Sequence, residues 1–184
     1  PDRDTRPVSG YRLRPWGAGD AAVLLRAVGE PEIARDLPPL EHLADAKAYV
    51  AKLAGHDDLA AFAIVRAGDN GDAVLGGVHA RLDRVMRTAW VSFWLLPDAR
   101  GRGLGSRATV ALADHLFRQG VYRLELAHRL TNIAARTVAE RAGFLLEGIM
   151  RAEVEFDGVR YDTALMSRLV TDPAPATEPL PGLA

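Results

Sequence analysis

Two spacings of apolar residues take turns along this chain. Tyr11–Trp16 alternates apolar and basic residues with the period of a short strand. A helix is expected over Ala21–Val28, with Asp20 as its candidate cap. Pro31, Pro38 and Pro39 cut the following stretch into short pieces. A second helix is expected from Asp45 to Ala54, then three strands at Leu59–Ala67, Ala73–Leu82 and Thr88–Leu96. Gly68-Asp69-Asn70-Gly71-Asp72 joins the first two strands, Asp83–Arg87 is a polar turn, and Pro97 stops the third. Leu104 to Gln119 is the clearest helix: Leu104, Ala108, Ala111, Leu112, His115 and Leu116 share one face, and Gly120 ends it. Val121–Ala127 alternates as a strand, and a helix follows from the cap Asn132 to Ala142 and Gly143. Phe144–Phe156 and Val159–Leu169 then flank a hairpin turn at Asp157-Gly158. The order predicts a mixed α/β sheet, a meander followed by a βαβ unit.

Composition narrows the class. A chain of 184 residues is most simply one domain, and its formal net charge of −1 weighs against nucleic acid as the main partner. No apolar run approaches the roughly 20 residues needed to span a bilayer, and no signal peptide is visible, so no membrane partner is expected and the cytoplasm is the expected compartment. Without cysteine the chain has no disulfide, no Cys-based metal site and no acyl-cysteine intermediate. Its five histidines lack metal-ligand spacing, and no serine sits in a GxSxG elbow, so neither a metal site nor a serine hydrolase is expected. Residues 1–9 are expected as a flexible N-terminus and 10–170 as a single domain. The linker-like composition after Asp172 predicts a flexible tail over 171–184.

The candidate chemistry lies at Arg100-Gly101-Arg102-Gly103-Leu104-Gly105, between a strand and a helix. Unpaired N–H groups and the helix dipole favour an anion there, and glycines let backbone approach a pyrophosphate closely. No Gly-Lys occurs, so this is not a P-loop. Gly101-x-Gly103-x-x-Ser106, with Glu125 about 20 residues on, approximates a dinucleotide fingerprint. That fingerprint belongs in the first βαβ unit of a parallel sheet, whereas a meander precedes it here and too little chain follows.

Arg100-x-x-Gly103-x-Gly105 resembles the (Q/R)xxGx(G/A) turn of the GNAT acetyltransferases, which cradles the pyrophosphate of coenzyme A. The resemblance extends to the RimJ/RimL-type subfamily through Phe93–Gly103, Asn132, Ala139-Glu140-Arg141-Ala142-Gly143-Phe144, Glu147-Gly148 and the closing hairpin, and runs from about Tyr11 to Leu169. It implies the GNAT fold: a mixed, mostly antiparallel central sheet with splayed central strands, flanked by helices. It also implies an acetyl-CoA-dependent N-acetyltransferase with direct transfer to an amine, working as a monomer or homodimer.

Carried over by residue, the resemblance sets the backbone of Phe93, Leu95 and Leu96 along pantetheine, with an edge N–H such as that of Leu95 polarising the thioester carbonyl. The amides of Arg102, Gly103, Leu104, Gly105 and Ser106, with Gly101 in the same turn, would hold pyrophosphate. Arg100, Arg102 and Arg107 would add charge, with a solvated surface patch as the alternative reading. Asn132 matches a family residue that touches the arm, and it also suits an ordinary N-cap. Arg136 is either a phosphate contact or an exposed helix position.

The sequence departs from the pattern in two places. Where RimL-like enzymes often carry a serine, this chain has Ala135, and Ala89-Trp90-Val91-Ser92 lacks the strand glutamate of many GNATs. Ungapped matching puts the other family glutamate at Val154, flanked by Glu153 and Glu155. These two share a strand face, and a bulge or slip would present either as the base; a solvent-facing pair is the alternative. A weak base favours an α-amine. With a pKa near 8 against about 10.4 for lysine, it costs about 3 kcal/mol less to deprotonate. The expected acceptor is therefore a protein or peptide N-terminus. A small amine such as an antibiotic, amino acid or polyamine, or a non-catalytic CoA-binding module, are the alternatives.

Overall fold

The computed structural model describes residues 10–35, 37–68 and 71–183. The expected flexible segment 1–9 lies outside them, as does part of the turn 68–72. Seven strands form one sheet in the order β1-β2-β3-β4-β5-β7-β6. They are β1 (Tyr11–Pro15), β2 (Leu59–Arg66), β3 (Ala73–Asp83), β4 (Thr88–Leu95), β5 (Arg123–Arg129), β6 (Leu145–Phe156) and β7 (Val159–Leu169). The helices are α1 (Ala21–Ala27), α2 (Pro31–Ala34), α3 (Leu43–Gly55), α4 (Leu104–Arg118) and α5 (Ile133–Arg141). Asp20 is the N-cap residue of α1, as expected, but its side chain makes no bond to the first amides of that helix. It sits in a short 3-10 turn, where its carboxylate accepts from the Gly17 amide and the Arg14 guanidinium.

Every neighbouring pair of strands is antiparallel except β4 and β5. Those two run parallel because α4 carries the chain across one face between them. Their pairing covers only Thr88–Arg123, Ala89–Leu124 and Trp90–Glu125, so beyond Trp90 the strands part and leave a wedge in the middle of the sheet.

Two apolar cores fill the faces. Leu104, Leu112 and Leu116 of α4 pack with Val91, Leu124, Leu126 and Phe144 on one side. On the other, Leu24, Val50 and Leu53 close over Trp16 and Trp94, whose rings stack 6.2 Å apart. The helical stripe of α4 thus buries as its spacing requires.

The C-terminal segment departs from the expected flexible tail. Leu180 is 2% exposed, its amide donates to the Arg107 carbonyl at 3.1 Å, and the Leu13 amide donates to the Pro181 carbonyl at 2.8 Å. β1 is an edge strand with a free row of backbone groups, and this segment covers part of that edge. Composition signals polarity and proline but not the place where one leucine docks. Among the described residues, no helix is long and apolar enough to cross a membrane.

Candidate active site

The glycine turn follows a 3-10 turn at Pro97–Ala99 and opens directly into α4. Gly101 and Gly103 both adopt left-handed backbone, with φ of +71° and +72°, which glycine enters without a Cβ penalty. Gly103 is the N-cap of α4 and offers no side chain to the first helical amides, which leaves an anion-binding concavity at the positive end of a long helix. At Gly105 a Cβ would stand 3.1 Å from Val138 Cγ2, so α4 and α5 approach each other here as glycine permits. A cavity of 330 Å³ lies at this junction, bounded by Phe93, Leu95, Arg100 and Gly101, by Gly103 to Ser106, and by Asn132, Ala135, Val138 and Arg141 of α5. The uncapped turn, the left-handed glycines and the adjoining slot fit a pyrophosphate and the extended arm attached to it.

The exposed edge of β4 has a definite polarity. The Leu96 amide donates to the Leu75 carbonyl at 2.9 Å, and alternation along an antiparallel pair then turns Trp94 and Ser92 toward β3 as well. The backbone groups of Phe93 and Leu95 face the opposite way, into the wedge. Leu96 is therefore a correction: its amide is spent on β3 and its side chain is buried.

A second cavity of 240 Å³ lies on the other side of the wedge and meets the first at Glu32, Phe93, Asn132 and Ala135. Trp90 and Ser92 of β4, Ala127 to Arg129 of β5, and Glu153, Val154 and Phe156 of β6 line it. The register between β6 and β7 slips between Met150 and Val154, with Ala152 in left-handed backbone at φ +51°. The Ala152 amide donates to Asp162 Oδ1 at 2.8 Å, which holds this bulge. The result separates the two glutamates. Glu153 lines the cavity and accepts a short hydrogen bond from the Thr163 hydroxyl, whereas Glu155 lines neither cavity and pairs with Arg160 at 2.8 Å. The shared face expected for them is undone by the bulge.

The arginines divide as well. Arg100 stays at the first cavity, with Nε donating to the Leu95 carbonyl at 3.1 Å and Nη1 to Glu32 at 3.0 Å. Arg102 turns away to the Tyr11 hydroxyl and the Asp98 carbonyl. Arg107 is buried against the C-terminal segment, 3.6 Å from Glu178, so it adds no charge at the turn. Arg136 is exposed and paired with Glu140 at 2.7 Å. Asn132 is an N-cap, its side-chain oxygen accepting from the Ala135 amide at 3.0 Å. Because the cap uses only that oxygen, its N–H groups are left for the cavity it lines.

Sequence reasoning missed Arg141, Arg35 and Arg129, which line these cavities. For Arg141 a signal exists: Ala134, Val138 and Arg141 follow helical spacing along one face of α5. Glu147 of the Glu-Gly pair is a clamp. The Arg123 guanidinium and the Ser167 hydroxyl donate to it, tying β5, β6 and β7 together and holding its carboxyl down to about 2.

Residues 11–145 match the family model of the acetyltransferase (GNAT) domain. The chain is 33% identical over 92 residues to the ribosomal-protein-serine acetyltransferase of Escherichia coli, a stretch covering 49% of this chain and 51% of that protein. It thus spans about half the length of that curated relative. Among solved structures it is similar to spermidine N-acetyltransferase from Vibrio cholerae in complex with CoA and spermine (TM-score 0.79, 20% identity, covering 89% of this chain and 98% of that one). It is also similar to Mycobacterium smegmatis RimJ in complex with CoA-disulfide (TM-score 0.74, 23% identity, 87% and 82% covered). At these identities the structural likeness is one of fold. With the family model spanning the meander, the glycine turn and α5, the chain belongs to the GNAT family of acetyl-CoA-dependent acetyltransferases.

Proposed function

We propose that this protein acetylates the α-amine of a peptide or protein N-terminus by direct transfer from acetyl-CoA. The observation that carries this reading is the meeting of two cavities at Phe93 and Asn132, one entered from the glycine turn and the other lined by Glu153, a carboxylate hydrogen-bonded to a hydroxyl and not committed to an arginine as Glu32 is. The glycine turn with the first amides of α4 takes the pyrophosphate, aided by Arg100 and Arg141. The Phe93 and Leu95 backbone groups lie along the arm, and the Leu95 amide is set to polarise the thioester carbonyl. Acetyl-CoA supplies an acyl carbon already activated as a thioester.

The amine nitrogen bonds to that carbon as the C–S bond breaks. The proton leaving nitrogen passes to Glu153, directly or through water, and a solvent proton reaches the departing sulfur. Ala135 offers no acid for that last step, and a thiolate is a good enough leaving group to depart without one. An α-amine suits this modest machinery because roughly a tenth of it is already neutral at pH 7, against less than about one part in a thousand for lysine. The identity to the ribosomal-protein-serine acetyltransferase supports the same acceptor class.

The test begins with thermal stability with and without acetyl-CoA, with NAD as control. Peptides with free N-termini are then compared with peptides that are N-terminally blocked but contain lysine. Stabilisation by acetyl-CoA and turnover on free N-termini are expected. Acetylation confined to lysine side chains would overturn the acceptor assignment.

A further inference from the structure

The acceptor-side cavity holds two guanidiniums that the transfer step does not use. Arg129, the last residue of β5, sets its Cζ 5.3 Å from the centre of the Phe156 ring and 5.4 Å from that of Tyr161. Arg35, just after α2, reaches the same Phe156 ring at 5.1 Å. Both residues line the cavity. The Arg129 carbonyl accepts from the neighbouring His128 Nδ1 at 2.9 Å.

Among the described residues, Arg129 has no carboxylate partner. Arg35 pairs, among the same described residues, with Asp157 at 3.6 Å on a side chain that is 90% exposed, an arrangement worth little. Stacking occupies the flat faces of a guanidinium and leaves its in-plane N–H groups for another partner. Two like charges gathered on one ring repel each other, and an anion bound between them offsets that repulsion. The two glutamates in the same wall are already engaged: Glu32 with Arg100, and Glu153 with the Thr163 hydroxyl beside the expected path of the amine.

We infer that the acceptor carries a carboxylate close to its amine, received by Arg129 and Arg35 while Glu153 faces the amine. This rests on the α-amine reading above and refines it: the acceptor is a peptide N-terminus with an acidic side chain in its first residues. A free acidic amino acid offers the same chemistry from another source. A polyamine offers the opposite, since it would bring cations against both arginines.

The experiment uses the full chain with acetyl-CoA and three peptides that differ only at the second residue, Ser-Glu, Ser-Gln and Ser-Lys, alongside free glutamate and spermidine. The Glu peptide should exceed the Gln peptide in kcat/KM by about tenfold or more, the scale of a hydrogen bond between charged groups, with the Lys peptide lowest. Arg129→Gln and Arg35→Gln should each draw the Glu-to-Gln ratio toward one, and Arg129→Glu should move the preference to the Lys peptide. Because ratios are compared within each variant, a loss of folded protein does not mimic the result. Equal kcat/KM on the three peptides, or ratios unmoved in both variants, would overturn the inference and leave the N-terminal reading standing. Turnover of free glutamate but of no peptide would uphold the carboxylate and end the peptide reading. Turnover of spermidine alone would end both. If no amine turns over, titration of the Ser-Glu peptide into the CoA-loaded protein decides: binding lost in Arg129→Gln supports the inference, and absence of binding overturns it.

Discussion

Ser92 Oγ lies 2.8 Å from His79 Nε2, straight across β4 and β3, where the two residues are in register. Ser92 also lines the acceptor-side cavity, so this bond fixes a hydroxyl beside the wedge. Desolvation pushes the His79 imidazole down to about 4, which leaves it neutral at pH 7. A folded value below the unfolded one, near 6.5, means the unfolded chain binds the extra proton first. This contribution to stability is complete above about pH 6.5 and is lost as pH falls toward 4. Urea unfolding between pH 7 and 5, above the range of ordinary carboxylates, is expected to show a slope that His79→Gln flattens. An unchanged slope in the variant would assign the effect to another group.

Gly103 is both the N-cap of α4 and a left-handed residue, so Gly103→Asp adds a side chain and a negative charge where the anion is expected. Acetyl-CoA at 100 times its Kd should stabilise the unmodified protein by about 2.7 kcal/mol, a shift of several degrees in Tm. The variant is expected to lose that shift. Calorimetric CoA affinity equal to that of the unmodified protein would remove the turn from the site.

The bulge at Ala152 makes the two candidate bases separable. Glu153→Gln should lower kcat/KM by about a hundredfold, within the usual range for a general base, whereas Glu155→Gln should stay within about twofold. Steady-state rates on one peptide acceptor suffice to compare them. The reverse order would mean that the bulge does not choose the carboxylate.

Leu180 tests the covered edge of β1. Its side chain is buried between the sheet and α4, so Leu180→Ala should cost about 2–5 kcal/mol in urea unfolding. A loss within about 0.5 kcal/mol, as for an exposed surface position, would show that the C-terminal segment contributes no packing.

Much of this molecule is legible from spacing alone. The stripe of α4, the Asp157-Gly158 turn, the Asn132 cap and the strand–turn–helix at Gly101–Gly105 are local features, and local backbone preference with one-face burial suffices to specify them. The order of elements then implies the mixed sheet, and the glycine turn implies an anion site at a helix N-terminus. Which side chains meet is decided by long-range register. Three pairs between β4 and β5 open the wedge, a bulge brings Glu153 but not Glu155 to the cavity, and the parity of β4 turns the Leu96 amide to β3 while the backbone of Phe93 and Leu95 faces the wedge. Arg102, Arg107 and Arg136 have the composition of an anion site but find other partners, whereas Arg35 and Arg129 reach one ring on β6 from distant parts of the chain. A charge shows its type in the sequence. Its partner depends on how strands pair and where the chain bulges, and those choices are made by packing across the whole sheet.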